Sequence, residues 1–295
     1  MIPLKVALFV KSSDASTRRE DRGMGYWSYA VPEFDWMHCV LDERPIETAD
    51  LKRRGFDLIV HEDSGLPTEY RGRALPIVFV AIDSTLSEAH YTSRRRTAEQ
   101  ADLVLVDHDD PGRFGKRARP FPYCVNDRIF RPAAARDGDV AYHCSAGGGR
   151  GLPGAKERTR LRRHLHDYCQ ARGLVYRSGA LGLREYAASI AGARVCVNWP
   201  RTPANRPHRV FDTMACRTCL VTGMLPPVAD DGREAGFHYV ECRDFDGLID
   251  ALDVALKNGQ WEWYAENGHR LVMEKHTWAI RARELRALLA EELKL

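Results

Sequence analysis

The 295-residue sequence has no apolar run approaching the length of a membrane helix, so no spanning segment is expected. Its eight cysteines are scattered through apparent strands and helices, which sets aside the dense framework of a secreted disulfide scaffold. The run Leu4–Val10 is too short and too plainly flanked for a signal peptide, and a reducing cytoplasm is the expected location. Charge of one sign is also lacking, since 44 basic and 41 acidic residues leave a net charge of only +3. Partners therefore have to be argued from where charge is placed, at Arg94–Arg96, Arg113–Arg119 and Arg150–Arg163. Solvated faces and an anion-binding surface are both open readings of these clusters. No internal repeat or low-complexity tract is present.

Metal chemistry lacks its ligands as well. Cys216-Arg-Thr-Cys219 has no second pair to complete a zinc site, and both cysteines are expected to pack in the core. Asp137-Gly-Asp139 stands in an apparent linker and is read as solvated rather than as a metal-binding pair. No metal and no resident cofactor are expected.

Strand-like and helix-like runs alternate throughout, which predicts an α/β protein with parallel sheets. The length suits two domains of roughly 130–150 residues each. Strands are predicted at Lys5–Val10, Asp57–His61, Ile77–Ile82 and Leu103–Asp107, with a helix at Tyr91–Ala101. Each strand ends in polar residues, among them Ser13, Asp14, His61, Asp63, Asp83 and Asp107. Ligands of open parallel sheets gather at strand carboxyl ends, so these groups are predicted to share one rim. The segment Arg119–Pro132, broken by three prolines, reads as a domain boundary.

A second α/β unit begins near Val140–Cys144 and leads into the glycine-rich stretch Ser145–Gly154, which includes Gly147. A helix over Ala155–Ala171 follows, with Arg158 in its first turn. Backbone amides of such a turn approach a diphosphate closely, although a surface loop has the same composition. The turn is read as neither a Rossmann nor a Walker fingerprint, which ranks an NAD-type oxidoreductase last. Helices at Tyr186–Ala193, Phe245–Lys257, Trp261–Lys275 and Trp278–Leu293 alternate with strands at Val195–Asn198, Cys219–Thr222 and Tyr239–Cys242. Trp261, Trp263 and Tyr264 are expected to pack beneath the last helices.

The stretch Arg206–Thr222 is the most informative. A helix starting at Pro207 or His208 points free N–H groups, with Arg206 and Arg209, at an incoming anion. Asp212 follows one turn later, where a carboxylate accepts hydrogen bonds from a ribose. Phosphates and a ribose together describe a nucleotide.

This layout resembles the donor-binding segment of GT-B glycosyltransferases, above all the group-1 type related to the CgeB-like spore-maturation proteins. The residues that carry the resemblance are Glu185-Tyr186, Asn198, Arg209-x-Phe-Asp212, His276-Thr277 and the Phe130-Arg-Pro132 connection. It is strongest from about Tyr186 onward. It implies two Rossmann-like domains with parallel sheets facing across a cleft and a C-terminal helix crossing back to the first domain. The implied boundaries are 1–125 for the acceptor side, 126–275 for the donor side and 276–295 for the crossing helix. Two departures stand out. Asp212 replaces the usual Glu, and Ala204 occupies the position of a second acid, so retaining and inverting outcomes both stay open. Arg217 stands where relatives often have Gly.

The resemblance further implies transfer of a sugar from a nucleotide-sugar donor, a UDP-sugar foremost, to a hydroxyl acceptor. Metal-free transfer requires cations and helix N-termini to neutralise the leaving diphosphate. Ser145, Gly147, Arg158, Asn198, Arg206, Arg209 and Asp212 are the expected donor-site residues. Arg209 also has a plain reading as a structural partner of Asp212, and Asn198 as a turn cap. Asp83 leads the candidates for general base, with His61 and Asp63 next. Ser13, Asp14 and Arg95 are expected to border the acceptor. A hydroxylated base in DNA is the alternative acceptor, contacted through Arg94–Arg96 and Lys116–Arg119. A non-catalytic nucleotide-binding module is the alternative from another class.

Overall fold

The computed structural model describes residues 4–11, 34–41, 45–62, 68–81, 88–107, 110–144, 155–200, 207–226 and 232–295. The chain divides into two compact units, residues 1–123 with 278–295, and residues 124–277. Among the described residues no helix is long and apolar enough to cross a membrane.

The first unit is built on strands β1 (Leu4–Lys11), β2 (Phe34–Leu41), β3 (Ile46–Glu47), β4 (Leu58–Glu62), β5 (Tyr70–Arg71), β6 (Ile77–Ala81), β7 (Leu103–Val106) and β8 (Ala118–Pro120). Helices α1 (Thr48–Arg53) and α2 (Glu88–Ala98) lie between them. The main sheet runs β2-β1-β4-β6-β7-β8 and its pairs are parallel, while β3 and β5 form a small parallel pair. Central strands such as Ile77–Ala81 are buried at every position, the mark of a parallel sheet covered on both faces. Edge strands β2 and β8 escape sequence prediction; β8 is three residues long and carries a proline, which an edge tolerates. The C-terminal helix Trp278–Leu293 buries Trp278, Leu285 and Leu289, and Arg119 donates to its Glu292 at 2.7 Å.

The second unit carries β9 (Gly138–Tyr142), β10 (Tyr176–Ser178), β11 (Ala193–Asn198), β12 (Cys219–Gly223) and β13 (Val240–Cys242). Its helices are α3 (Ala155–Ala171), α4 (Leu183–Ala191), α5 (Arg209–Ala215), α6 (Phe245–Leu256) and α7 (Gln260–Lys275). The strands form one parallel sheet in the order β10-β9-β11-β12-β13. Leu161 and Leu165 of α3 and Leu248 and Leu252 of α6 pack with Val140, Tyr142, Val195, Val197 and Val221 in one core. Gly268 lets α7 approach closely, since a Cβ there would sit 3.0 Å from the His238 carbonyl and from Met214 Cγ. Thr277 bridges to Val125, so the ends of this unit lie side by side.

The amino ends of both sheets are clasped by aspartates. Asp57 accepts the Lys5 amide at 2.9 Å, Asp102 the Ile77 amide at 2.9 Å, and Asp139 the Val175 amide at 2.8 Å. Asp139 also pairs with Arg194 at 3.1 Å, and Asp137 with Arg177. The Asp137-Gly-Asp139 segment is thus the start of the unit, with Asp139 engaged in the fold rather than solvated. The reason is positional: its carboxylate stands beside an amide that the ladder leaves without a partner.

Candidate functional site

The carboxyl ends of the second sheet bring together residues that the sequence separates widely. Strand β9 delivers Tyr142 and His143, β11 delivers Asn198, and β12 delivers Thr222. Helix α5 begins beside them at Arg209, with His208 as its N-cap. Thr222 Oγ1 donates to the Gly223 carbonyl at 2.9 Å, and Asn198 Nδ2 donates to Thr222 Oγ1 at 2.9 Å. This chain of bonds turns the Asn198 carbonyl oxygen toward Arg209, whose Nη1 lies 3.5 Å away. The guanidinium also sits over the Tyr142 ring, 5.8 Å from its centroid. Asn198 is fully buried and presents its carbonyl oxygen to Arg209.

Asp212 lies one turn into α5 and is only 4% exposed. Burial raises its carboxyl to about 8, against the opposing pull of Arg209 and of the Tyr186 hydroxyl. Its Oδ1 has no hydrogen-bond partner. The carboxyl therefore faces the interior, beside Arg209 and Tyr186, and the direct ribose contact expected of it gives way to an internal one. Tyr186 is held in place by edge-on packing against Phe130 and His143, at 5.8 and 5.7 Å between centroids.

Arg158, in the first turn of α3, is the second cation at this rim. Burial raises the Tyr142 phenol, and the charges of Arg209 and Arg158 both work against that rise. Both charges therefore act on this phenol, with Arg209 over its ring. His143 is buried, with Nε2 2.9 Å from Ser189 Oγ and Nδ1 3.3 Å from the Gly179 carbonyl, and burial lowers its pKa.

Ser145, Gly147 and Arg206 lie outside the described residues. In sequence, however, Gly149, Gly151 and Gly154 stand at Gly-x-Gly-x-x-Gly spacing between β9 and α3. That spacing goes unregistered in the sequence reading of this turn, and here it begins at Gly149 rather than directly on the end of β9 at Tyr142. Tyr142 and Tyr186 were also missed as site residues. Only their neighbourhood to the glycine turn and to Glu185 marked them in the sequence.

In the first unit, Ser13, Asp14, Asp63 and Asp83 lie outside the described residues. His61 is fully buried, edge-on to Phe79, with Nδ1 2.5 Å from the Tyr70 hydroxyl. Burial lowers its pKa from 6.5 to about 3. The imidazole is thus neutral and turned toward Tyr70. Arg95 is exposed on α2 and pairs with Glu99 at 3.0 Å. Within the basic clusters, Arg94 is 7% exposed and Arg119 pairs with Glu292, while Arg95, Arg96, Lys116 and Arg117 are exposed, Arg117 also contacting the Ala101 carbonyl and Asp102.

Cys216 and Cys219 are both buried, and burial pushes both thiols up, as core packing requires. Among the described residues no three His, Cys, Asp or Glu side chains are grouped to hold a metal ion. Trp263 departs from expectation. It is 49% exposed and packs edge-on to Phe237 instead of lying beneath the last helices. Arg217 adopts φ 55°, the left-handed region that favours glycine, and pairs with Glu266 at the amino end of β12, away from the rim.

Residues 127–287 match the family described as glycosyl transferase-like. No curated protein matches the sequence. Among solved structures, sucrose-phosphate synthase from Thermosynechococcus elongatus aligns with a TM-score of 0.67 at 14% identity, covering 99% of each chain. Anabaena HepE, solved in complex with UDP, aligns at 0.62 and 11% identity over 98% of this chain and 100% of that one. A glycosyltransferase from Rickettsia africae aligns at 0.58 and 8% identity, covering both chains fully. These likenesses fix the fold as that of GT-B glycosyltransferase structures.

Proposed function

We propose, for a chain that belongs to the glycosyl transferase-like family, transfer of a sugar from a nucleotide-sugar donor to a hydroxyl acceptor. The observation that carries this reading is the Arg209 guanidinium held over Tyr142 at the carboxyl rim of the second sheet, with the charge of Arg158 acting on the same phenol. Two cations at strand ends, beside a glycine-rich turn, suit the diphosphate of such a donor. Arg209 reaches this position already oriented by Asn198 and Tyr186, so little reorganisation accompanies binding. A UDP-sugar is the first donor to test, since HepE of the same fold is solved with UDP. Within the family, Glu185-Tyr186 and Arg209-x-Phe-Asp212 support the CgeB-like type.

In the reaction the acceptor oxygen bonds to the anomeric carbon as the bond to the diphosphate oxygen breaks. The electron pair leaves on the nucleotide, where the arginines stabilise it. In an inverting course Asp83, two residues beyond the end of β6 in sequence, takes the acceptor proton.

The test is a thermal-shift screen with UDP, GDP, ADP, CMP and their sugars, followed by donor hydrolysis without acceptor. A selective shift together with slow release of free sugar is the expected result. Binding without hydrolysis or transfer would reduce the chain to a nucleotide-binding module, and no shift with any nucleotide would overturn the reading.

A further inference from the structure

Tyr142 closes β9 with its side chain fully buried, and its hydroxyl has no hydrogen-bond partner of ordinary geometry. The one polar side chain near it on its own strand is the Cys144 thiol, a weak hydrogen-bonding group. Buried hydroxyls in folded proteins are almost always satisfied, because an orphan forfeits its bond to water and gains nothing in return. Phenylalanine would fill the same space without that penalty. The orphan is also not alone: Arg209 Nε, buried over the same ring, has no hydrogen-bond partner either. Two buried donors without a hydrogen-bond partner thus belong to one stacked pair, the Arg209 guanidinium over the Tyr142 ring, and the charge of Arg158 acts on the same phenol. What the cluster lacks is an acceptor with several oxygens and negative charge.

We infer that Tyr142 is a donor-site residue whose hydroxyl hydrogen-bonds a diphosphate oxygen of the nucleotide sugar, beside the Arg209 guanidinium. This rests on the proposed function for the identity of the ligand. The neutral phenol adds a directed O–H to the two cationic side chains, and no proton is transferred. Its contribution appears on binding and is retained by the leaving nucleoside diphosphate.

The test compares wild type and Tyr142→Phe in the intact chain, with UDP and inorganic pyrophosphate as probes in titration calorimetry. The expected result is an equal or higher Tm without ligand, and a Kd for both probes about tenfold weaker, the loss of one charge-assisted hydrogen bond. A lower Tm or failure to fold without ligand would overturn the inference, because the hydroxyl would then have a protein partner. Unchanged affinity in the variant would overturn it while leaving the proposed function standing. If wild type bound neither probe, both readings would fall together.

Discussion

Arg209 and Asp212 share one turn of α5, yet they are not a simple ion pair: burial holds the carboxyl up near 8 while the guanidinium leans over Tyr142. The arginine thus remains available to an incoming anion. Arg209→Lys keeps the charge but loses the fork that spans Asn198 and Tyr186. The expected outcome is UDP binding at least about tenfold weaker, with folding retained. Arg209→Ala goes further, costing about 3 kcal/mol of stability and abolishing the nucleotide-induced thermal shift. Urea unfolding and calorimetry on both variants check this.

Asp212 makes stability depend on pH in a defined direction. Its folded value near 8 lies above the ordinary 3.8, so the folded chain holds a proton that the unfolded chain has released. Stability from this group is fully present below pH 3.8 and is lost as pH rises through 8. Arg209 and the Tyr186 hydroxyl are the polar groups facing it, and both moderate the effect. Asp212→Asn removes the titrating carboxyl. The variant should gain stability relative to wild type between pH 5 and pH 8, read from urea midpoints, and a flat difference would count against the assignment.

Asp83→Asn separates chemistry from binding. Transfer should fall about 10²–10⁴-fold, the usual worth of a general base, while UDP affinity stays at the wild-type value. Initial rates beside calorimetry decide it; a parallel loss of affinity would instead mark Asp83 as a donor ligand.

Arg136 is a structural counterpart at the opposite end of the second sheet. Its guanidinium donates to the carbonyls of Ala191 at 2.7 Å and Ala193 at 2.6 Å, to Thr218 Oγ1 at 3.1 Å, and to the Arg217 carbonyl. It thus satisfies the C-terminal ends of both α4 and α5 and packs over Trp261. Arg136→Met should cost about 2–3 kcal/mol through the orphaned carbonyls and leave donor affinity unchanged.

The elements that sequence made legible are those whose residues are dictated by burial on both faces. Ile77–Ala81 and Cys219–Gly223 read as strands because a covered parallel sheet permits little else. Helices α3 and Trp278–Leu293 were bounded correctly by their apolar spacing. The roles of polar residues were less legible, because spacing shows which groups reach a rim but not which way they turn there. His61 ends a strand as expected and is nonetheless sealed between Phe79 and Tyr70. Asn198 sits where a ligand was expected and turns its carbonyl oxygen to Arg209, while the Asp212 carboxyl faces Arg209 and Tyr186. Tyr142 is legible only in part: an aromatic at a strand end reads as core, where its ring packs, but spacing carries no sign of its unpaired hydroxyl.

The aspartate clasps at Asp57, Asp102 and Asp139 keep the registry of both sheets at the ends remote from the rim. Folding information and chemical information are thereby stored at opposite poles of the same strands. Libraries that randomise the segments leaving the carboxyl ends would not touch the clasps. Donor preference on this scaffold should therefore be open to directed evolution with little penalty in yield of folded protein.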